Sequence, residues 1–311
     1  MVQLQRPDFV YARGKVRPWE EAVLHVSTEA VNRGLNVFEG IKGYWDERES
    51  EFALVAVRKH WERLHRSARL LHIPFSMSLV DFRRACESLL EALLIREQDM
   101  WVRATLFVVE GHWGEGTVAD LVLTAYHQPK RRPAPIDVGV STWRRASDVV
   151  LPPRIKTSTN YQVARLARIE GRGRGYSDMV LLNQWDRVAE ATGSCILLVR
   201  DGKVATPPPS EGVLESITVN IVESLAQSLA IPFTRRPIDR TELYVADALA
   251  LAGTLAELAP IGSIDDHRLP EESPIVDALS DRFWDAVRGT EPHAAVERSI
   301  VGSSGISSDV D

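Results

Sequence analysis

Leu151-Pro152-Pro153-Arg154-Ile155-Lys156-Thr157-Ser158-Thr159-Asn160-Tyr161 places one lysine just after an apolar, proline-stiffened run. Thirty-four residues on comes Val188-Ala189-Glu190-Ala191-Thr192-Gly193-Ser194, a carboxylate among small side chains. A lysine amine is a poor nucleophile while protonated. Burial or a nearby cation frees its lone pair, and an aldehyde then traps it as an imine. The small neighbours of Glu190 would let a flat ring approach. A carboxylate facing a pyridine nitrogen turns such a ring into an electron sink. Of the 37 basic residues only six are lysines, so candidates for the imine are few.

Lysine and glutamate in this order suggest a pyridoxal phosphate (PLP) site. Lys156 would hold the cofactor as a Schiff base, and Glu190 would keep its ring nitrogen protonated. Taken singly, each has a plainer reading: a surface lysine in a loop, an exposed strand glutamate. The cofactor's phosphate needs charge and backbone N–H donors, which a helix N-terminus supplies. Leu214-Glu215-Ser216-Ile217-Thr218 begins a strong amphipathic helix, so the amides of Ile217 and Thr218 are placed for an anion. Arg58 opens another helix and would add a cation. Ala252-Gly253-Thr254 is a small-residue turn where backbone approaches closely.

The bulk properties bound the rest. The chain has 311 residues, enough for one or two domains. A net charge of −6 without a basic block argues against nucleic acid as a partner. No apolar run reaches the length of a membrane span, and the N-terminus lacks a signal-peptide stretch. Cys86 and Cys195 are too few for a disulfide framework, so a cytoplasmic enzyme is expected. His60, His65 and His72 do not share a helical face for a metal and read as surface or packing residues. Residues 1–127 read as a small N-terminal domain, 128–136 as a proline-rich linker, and 137–289 as a larger domain. Residues 290–311 turn small and polar and are expected to be disordered. Within these bounds, helices are expected over 58–71, 78–96, 160–171, 214–229, 242–250 and 274–287. Strands are expected over 101–109, 120–126, 137–142, 179–182 and 190–199. The Gly171-Arg172-Gly173-Arg174-Gly175 run reads as a helix end, because it lacks a P-loop lysine.

Eight segments in register resemble the class IV aminotransferases of PLP fold type IV, branched-chain aminotransferases above all. They are Val37-Phe38-Glu39-Gly40-Ile41, Arg63-Leu64-His65-Arg66-Ser67-Ala68, Lys156 with Asn160-Tyr161, Glu190-Ala191-Thr192-Gly193, Thr206-Pro207-Pro208, Ile217-Thr218, Asp239 to Asp247, and Gly253-Thr254-Leu255-Ala256-Glu257. The resemblance implies an α/β (α+β) fold of two domains with PLP between them, and a homodimer. It makes Lys156 the Schiff-base lysine and proton shuttle, and it sets Tyr161 on the cofactor's phenolic oxygen. Glu190 falls on the ring nitrogen, and Arg58, Ile217, Thr218 and Thr254 on the phosphate. Phe38 and Arg103 fall near the substrate, and the Thr254-Leu255 turn would receive the α-carboxylate. The implied reaction moves an amino group from an amino acid, glutamate as donor, to a 2-oxo acid.

The sequence also departs from that family. Ala191-Thr192-Gly193-Ser194-Cys195 stands where branched-chain enzymes usually carry Gly-x-Gly-Glu-Asn, and Ser216-Ile217-Thr218-Val219 where they carry Gly-Ile-Thr-Arg. Arg33 replaces a pocket tyrosine, and Gln128 and Arg131 fall near positions of pocket aromatics. Arginine in an apolar pocket is costly unless an anion or a carboxylate answers it. Either Arg33 turns outward or pairs with an acid of its own chain, or the substrate is larger, polar or anionic. Alternatives on the same fold are an aminodeoxychorismate-lyase-like enzyme, a D-amino-acid transaminase and a non-catalytic relative.

Overall fold

The computed structural model describes residues 5–302, which form two α+β units. The first holds the chain as far as Arg131 and again from Ala286; the second runs from Arg132 to Asp285.

The first unit contains β1 (Phe9–Ala12), β2 (Lys15–Pro18), α1 (Glu29–Asn32), β3 (Asn36–Asp46) and β4 (Glu51–Val55). It continues with α2 (Val57–Leu70), α3 (Leu79–Leu93), β5 (Asp99–His112) and β6 (Glu115–Gln128). Its sheet closes on a late strand, residues 298–301, in the order 298–301, β4, β3, β5, β6, β1, β2. Side chains alternate across β3. Glu39 meets α2, where His60, Arg63, Leu64, Ser67 and Ala68 are buried at helical spacing. Phe38, Gly40 and Lys42 stand on the opposite face, against Thr105, Arg103 and Trp101 of β5. Gly40 is required there, because a Cβ would fall 2.6 Å from Trp101 Nε1. Ser78 caps α3 by accepting the Asp81 amide at 3.1 Å.

The second unit contains β7 (Ile136–Arg144), α4 (Tyr161–Gly173), β8 (Asp178–Leu182), β9 (Val188–Ala191), β10 (Cys195–Arg200) and β11 (Lys203–Thr206). It continues with α5 (Ile217–Ser228), β12 (Phe233–Arg235), β13 (Ala248–Gly253), β14 (Glu257–Ile264), β15 (His267–Arg268) and α6 (Pro274–Arg288), whose last turn falls to the first unit. The late strand is β16 (Arg298–Val301). The second sheet runs β12, β11, β10, β13, β14, β7, β8, β9, with β15 on β14. Strands β7 and β8 are parallel, so the chain must cross between them. The loop after β7, with α4 behind it, makes that crossover and carries Lys156. The β8–β9 pair then brings Glu190 into the same sheet.

Three expectations fail. Residues 242–250 form a 3-10 turn, Arg240–Tyr244, followed by β13 rather than a helix. Alanine and leucine favour helix, but here they fill a central strand paired on both sides. Leu249 and Leu251 join a core with Val180, Ile196, Leu198 and Ile261, while the alanines alternate on the other face. The 190–199 strand is two strands, broken at Thr192-Gly193-Ser194 where the Ala191 amide bonds the Ser194 carbonyl at 2.8 Å. The tail expected from residue 290 is ordered as far as it is described: β16 pairs with β4, Ile300 opposite Ala53 and Val301 opposite Phe52. Val296 and Val301 are buried there and Ile300 is half-buried, and average composition hid them. The rest of that tail, from Ser303, lies outside the described residues.

Candidate active site

Lys156 follows a loop that its own neighbours fasten. Asn160 Nδ2 donates to the carbonyls of Ile155 at 2.8 Å and Pro152 at 3.1 Å. Tyr161 begins α4, and this returns its ring to the lysine. Lys156 Nζ donates to Tyr161 Oη at 3.0 Å. The lysine is half-buried.

Glu190 sits on β9 with its side chain 12% exposed. Its Oε2 accepts the Leu214 amide at 3.1 Å. Its Oε1 lies 3.1 Å from Nη2 of Arg145, a buried arginine just past β7. Arg145 also donates from Nε to the Gly212 carbonyl at 3.2 Å and from Nη1 to the Asn160 carbonyl at 3.3 Å. Sequence reasoning missed Arg145. Its one signal was an arginine doublet directly after an apolar strand, and charge at such a place usually turns to solvent. The turn beyond Glu190 is held from α4: Arg168 Nε donates to Thr192 Oγ1 at 2.5 Å, and Thr192 in turn bonds Asp178.

Helix α5 opens with Ser216 Oγ accepting the Val219 amide at 3.2 Å. Among the described residues, the amides of Ile217 and Thr218 and the Thr218 hydroxyl make no hydrogen bond, although Thr218 is buried. A helix start with bare amides and a free hydroxyl fits a phosphate. The β13–β14 turn is equally bare, with no hydrogen bond from the Thr254 or Leu255 amides among the described residues. A Cβ on Gly253 would fall 2.9 Å from Ser194 Oγ, so only glycine admits the two turns this close.

The remaining sequence candidates belong to the first unit. Arg58 is the second residue of α2, exposed, with no ion-pair partner among the described residues. Arg103 lies over Phe38, with its guanidinium carbon 3.8 Å from the ring centroid, and its Nε donates to Thr105 at 3.3 Å. Arg33 has found an acid of its own chain. Its Nη1 donates to Glu29 Oε1 at 3.1 Å, and its guanidinium lies 4.4 Å from the Trp113 ring centroid. Glu29 is buried and also accepts the Trp113 amide at 2.9 Å. Gln128 donates to the carbonyl of His127, and Arg131 is exposed. His60, read as a surface or packing residue, is buried on α2 and bonds Glu39 at 2.7 Å.

Residues 36–264 match the family model for amino-transferase class IV. The chain belongs to the class IV aminotransferases. A probable branched-chain-amino-acid aminotransferase of Aquifex aeolicus is 33% identical over 290 residues, 91% of this chain and 93% of the relative. Among solved structures, the branched-chain aminotransferase of Thermoproteus uzoniensis, crystallised with norvaline, superposes with a TM-score of 0.88 at 30% identity. That match covers 94% of this chain and 99% of the other. The PLP form of the Thermobaculum terrenum branched-chain enzyme gives 0.86 at 32% identity, over 94% and 98%.

This aminotransferase is therefore PLP-dependent and branched-chain-aminotransferase-like, and its own residues fit that cofactor. The second unit presents an amine beside a phenol, a carboxylate with room on its oxygens, and a helix start with unspent donors. No helix among the described residues is long and apolar enough to cross a membrane.

Proposed function

We propose that this protein exchanges the amino group between a branched-chain amino acid and a 2-oxo acid, with glutamate as the physiological donor. The observation that carries the reading is the Lys156–Tyr161 contact in the same unit as a Glu190 carboxylate already fixed on two sides. PLP, when bound, draws electrons from the substrate's Cα. Lys156 would hold the cofactor through its amine and, once displaced by the substrate's amine, would carry the proton of the substrate's Cα. Tyr161 would donate to the cofactor's phenolic oxygen, and Glu190 would answer the charge on its ring nitrogen. The Ile217 and Thr218 amides, with Thr254, would bind the phosphate. The Thr254-Leu255 turn takes the α-carboxylate.

Substrate choice rests on the first unit. Phe38 offers an apolar wall, and Arg103 beside it suits the second carboxylate of glutamate. Because Glu29 answers Arg33, that arginine gives no support to a polar pocket. A homodimer is supported by the exposed Val23, Val26, Val31, Trp113 and Val118 on the first unit.

The test is a donor and acceptor screen on purified protein loaded with PLP, combined with borohydride reduction and peptide mapping. Leucine, isoleucine, valine and glutamate should each convert the cofactor, and the reduced label should sit on Lys156. Label on Lys42, Lys59 or Lys203, or conversion by D-amino acids alone, would overturn the reading.

A further inference from the structure

We propose that Arg145 is a positioning residue of the cofactor site, acting through Glu190. The inference rests on the reading of Glu190 as partner of the ring nitrogen. A guanidinium is a planar fork of five N–H donors, and this one is spent on three segments far apart in sequence. Nη2 faces Glu190 Oε1, Nη1 holds the Asn160 carbonyl, and Nε holds the Gly212 carbonyl. Each contact leads to a different part of the site. Asn160 is the residue whose side chain fastens the Lys156 loop at Pro152 and Ile155. Gly212 opens the stretch whose Leu214 amide takes the other Glu190 oxygen and which runs on into α5. One buried cation thus sets the carboxylate in register with the lysine loop and the phosphate helix.

Simple neutralisation of a buried carboxylate would need only charge, which lysine supplies as well. A lysine ammonium is a point charge on a flexible stem and lacks the rigid fork that here reaches acceptors on three segments. Arg145→Lys and Arg145→Gln should therefore behave alike if the fork matters, and differently if only charge does.

The experiment is a double-mutant cycle on the full chain, with Arg145→Lys, Arg145→Gln, Glu190→Gln and the two double variants. PLP affinity of each apoprotein is read by fluorescence quenching, the single-turnover rate with glutamate by stopped flow, and folding by thermal melting. Both Arg145 variants should weaken PLP binding and slow the single turnover by roughly ten- to a hundredfold. In the Glu190→Gln background most of that loss should vanish, because the residue through which Arg145 acts is already disabled. Equal losses in both backgrounds would overturn the proposal. So would wild-type values for Arg145→Lys, or failure of both Arg145 variants to fold, which would make Arg145 a structural residue. If Glu190→Gln alone matches wild type, the ring-partner reading fails and the proposal falls with it, an outcome recognisable from that single variant.

Discussion

Each unit buries a carboxylate beside an arginine, and the two pairs are finished differently. In the first, Glu39 is fully enclosed. Arg63 grips both oxygens at 2.7 Å from Nε and Nη2, and His60 Nδ1 adds a third contact at 2.7 Å. In the second, Glu190 keeps 12% of its side chain exposed and has one amide and one end of a guanidinium. A closed cluster has nothing left to offer a ligand and fixes the packing of β3 on α2. An open one is held in place yet keeps acceptor capacity. Burial of charge alone does not mark a site; the unspent valence does.

The contrast breaks first at Lys156. Lys156→Ala should lower transamination by roughly 10⁴-fold, the upper range for a positioned proton-transfer group, while leaving the melting of the first unit unchanged. Steady-state turnover together with borohydride labelling checks this. Retained turnover above a few per cent would mean that another amine serves, and the open site would have to be sought elsewhere.

Arg63→Ala probes the closed cluster. It leaves Glu39 buried without its main partner, a change that costs about 3–5 kcal/mol. Hydrogen exchange at β3 and α2 should accelerate accordingly, and exchange at β9 and β10 should not. The matching change in the open site, Arg145→Gln, should act mainly on cofactor binding. If both variants merely lower stability, the distinction between closed and open clusters has no functional content.

Acid sharpens the same comparison. Burial by itself raises the Glu39 pKa, but Arg63's charge and the hydrogen bonds from Arg63 and His60 outweigh it and hold the value at about 2, below the ordinary 4.5. A depressed folded value means that the stabilisation is complete above about pH 4.5 and drains away as pH falls toward 2. Between pH 5.5 and 3 the first unit of wild type should therefore lose stability faster than that of Glu39→Gln. Parallel denaturation curves for the two proteins over that range would show that Glu39 is not the group responsible.

In the second unit the sequence singled out the candidate residues and much less their supports. Lys156, Tyr161 and Glu190 stand in short motifs whose residue types are unusual together, and their placement needed no knowledge of packing. Arg145 lies eleven positions before Lys156 and forty-five before Glu190, so its role exists only after the β7–β8 crossover has formed. The same holds for β13, where Ala248 to Ala250 read locally as helix and are a strand because neighbours on both edges pair with them. Periodicity reports one element's face. It does not report which elements will sandwich it. The segments of the first unit were read correctly where amphipathic helices α2 and α3 dominate, and misjudged at the tail, where four residues of β16 add an edge strand too short to stand out.

Arg33 is where sequence left two readings open, and it carries the smallest expected effect. A cation at a pocket position asks for an anion, and the structure supplies Glu29 on the preceding turn and the Trp113 ring above. The arginine then ties α1 to the β5–β6 hairpin through a half-exposed ion pair and a stacked ring, worth about 0.2–1 kcal/mol each. On this account Arg33→Tyr should shift the hairpin slightly and lower kcat/KM for leucine and for glutamate together, with their ratio changing less than about threefold. A residue that bonded an anionic substrate end would behave otherwise. Losing that bond would remove about 1.5–3 kcal/mol from glutamate alone, roughly ten- to a hundredfold in the ratio. The measurement is kcat/KM for both substrates in both proteins. A selective collapse of the glutamate value would return Arg33 to the pocket and make Glu29 its resting partner. A uniform change would make Arg33 a structural residue of the α1–hairpin contact.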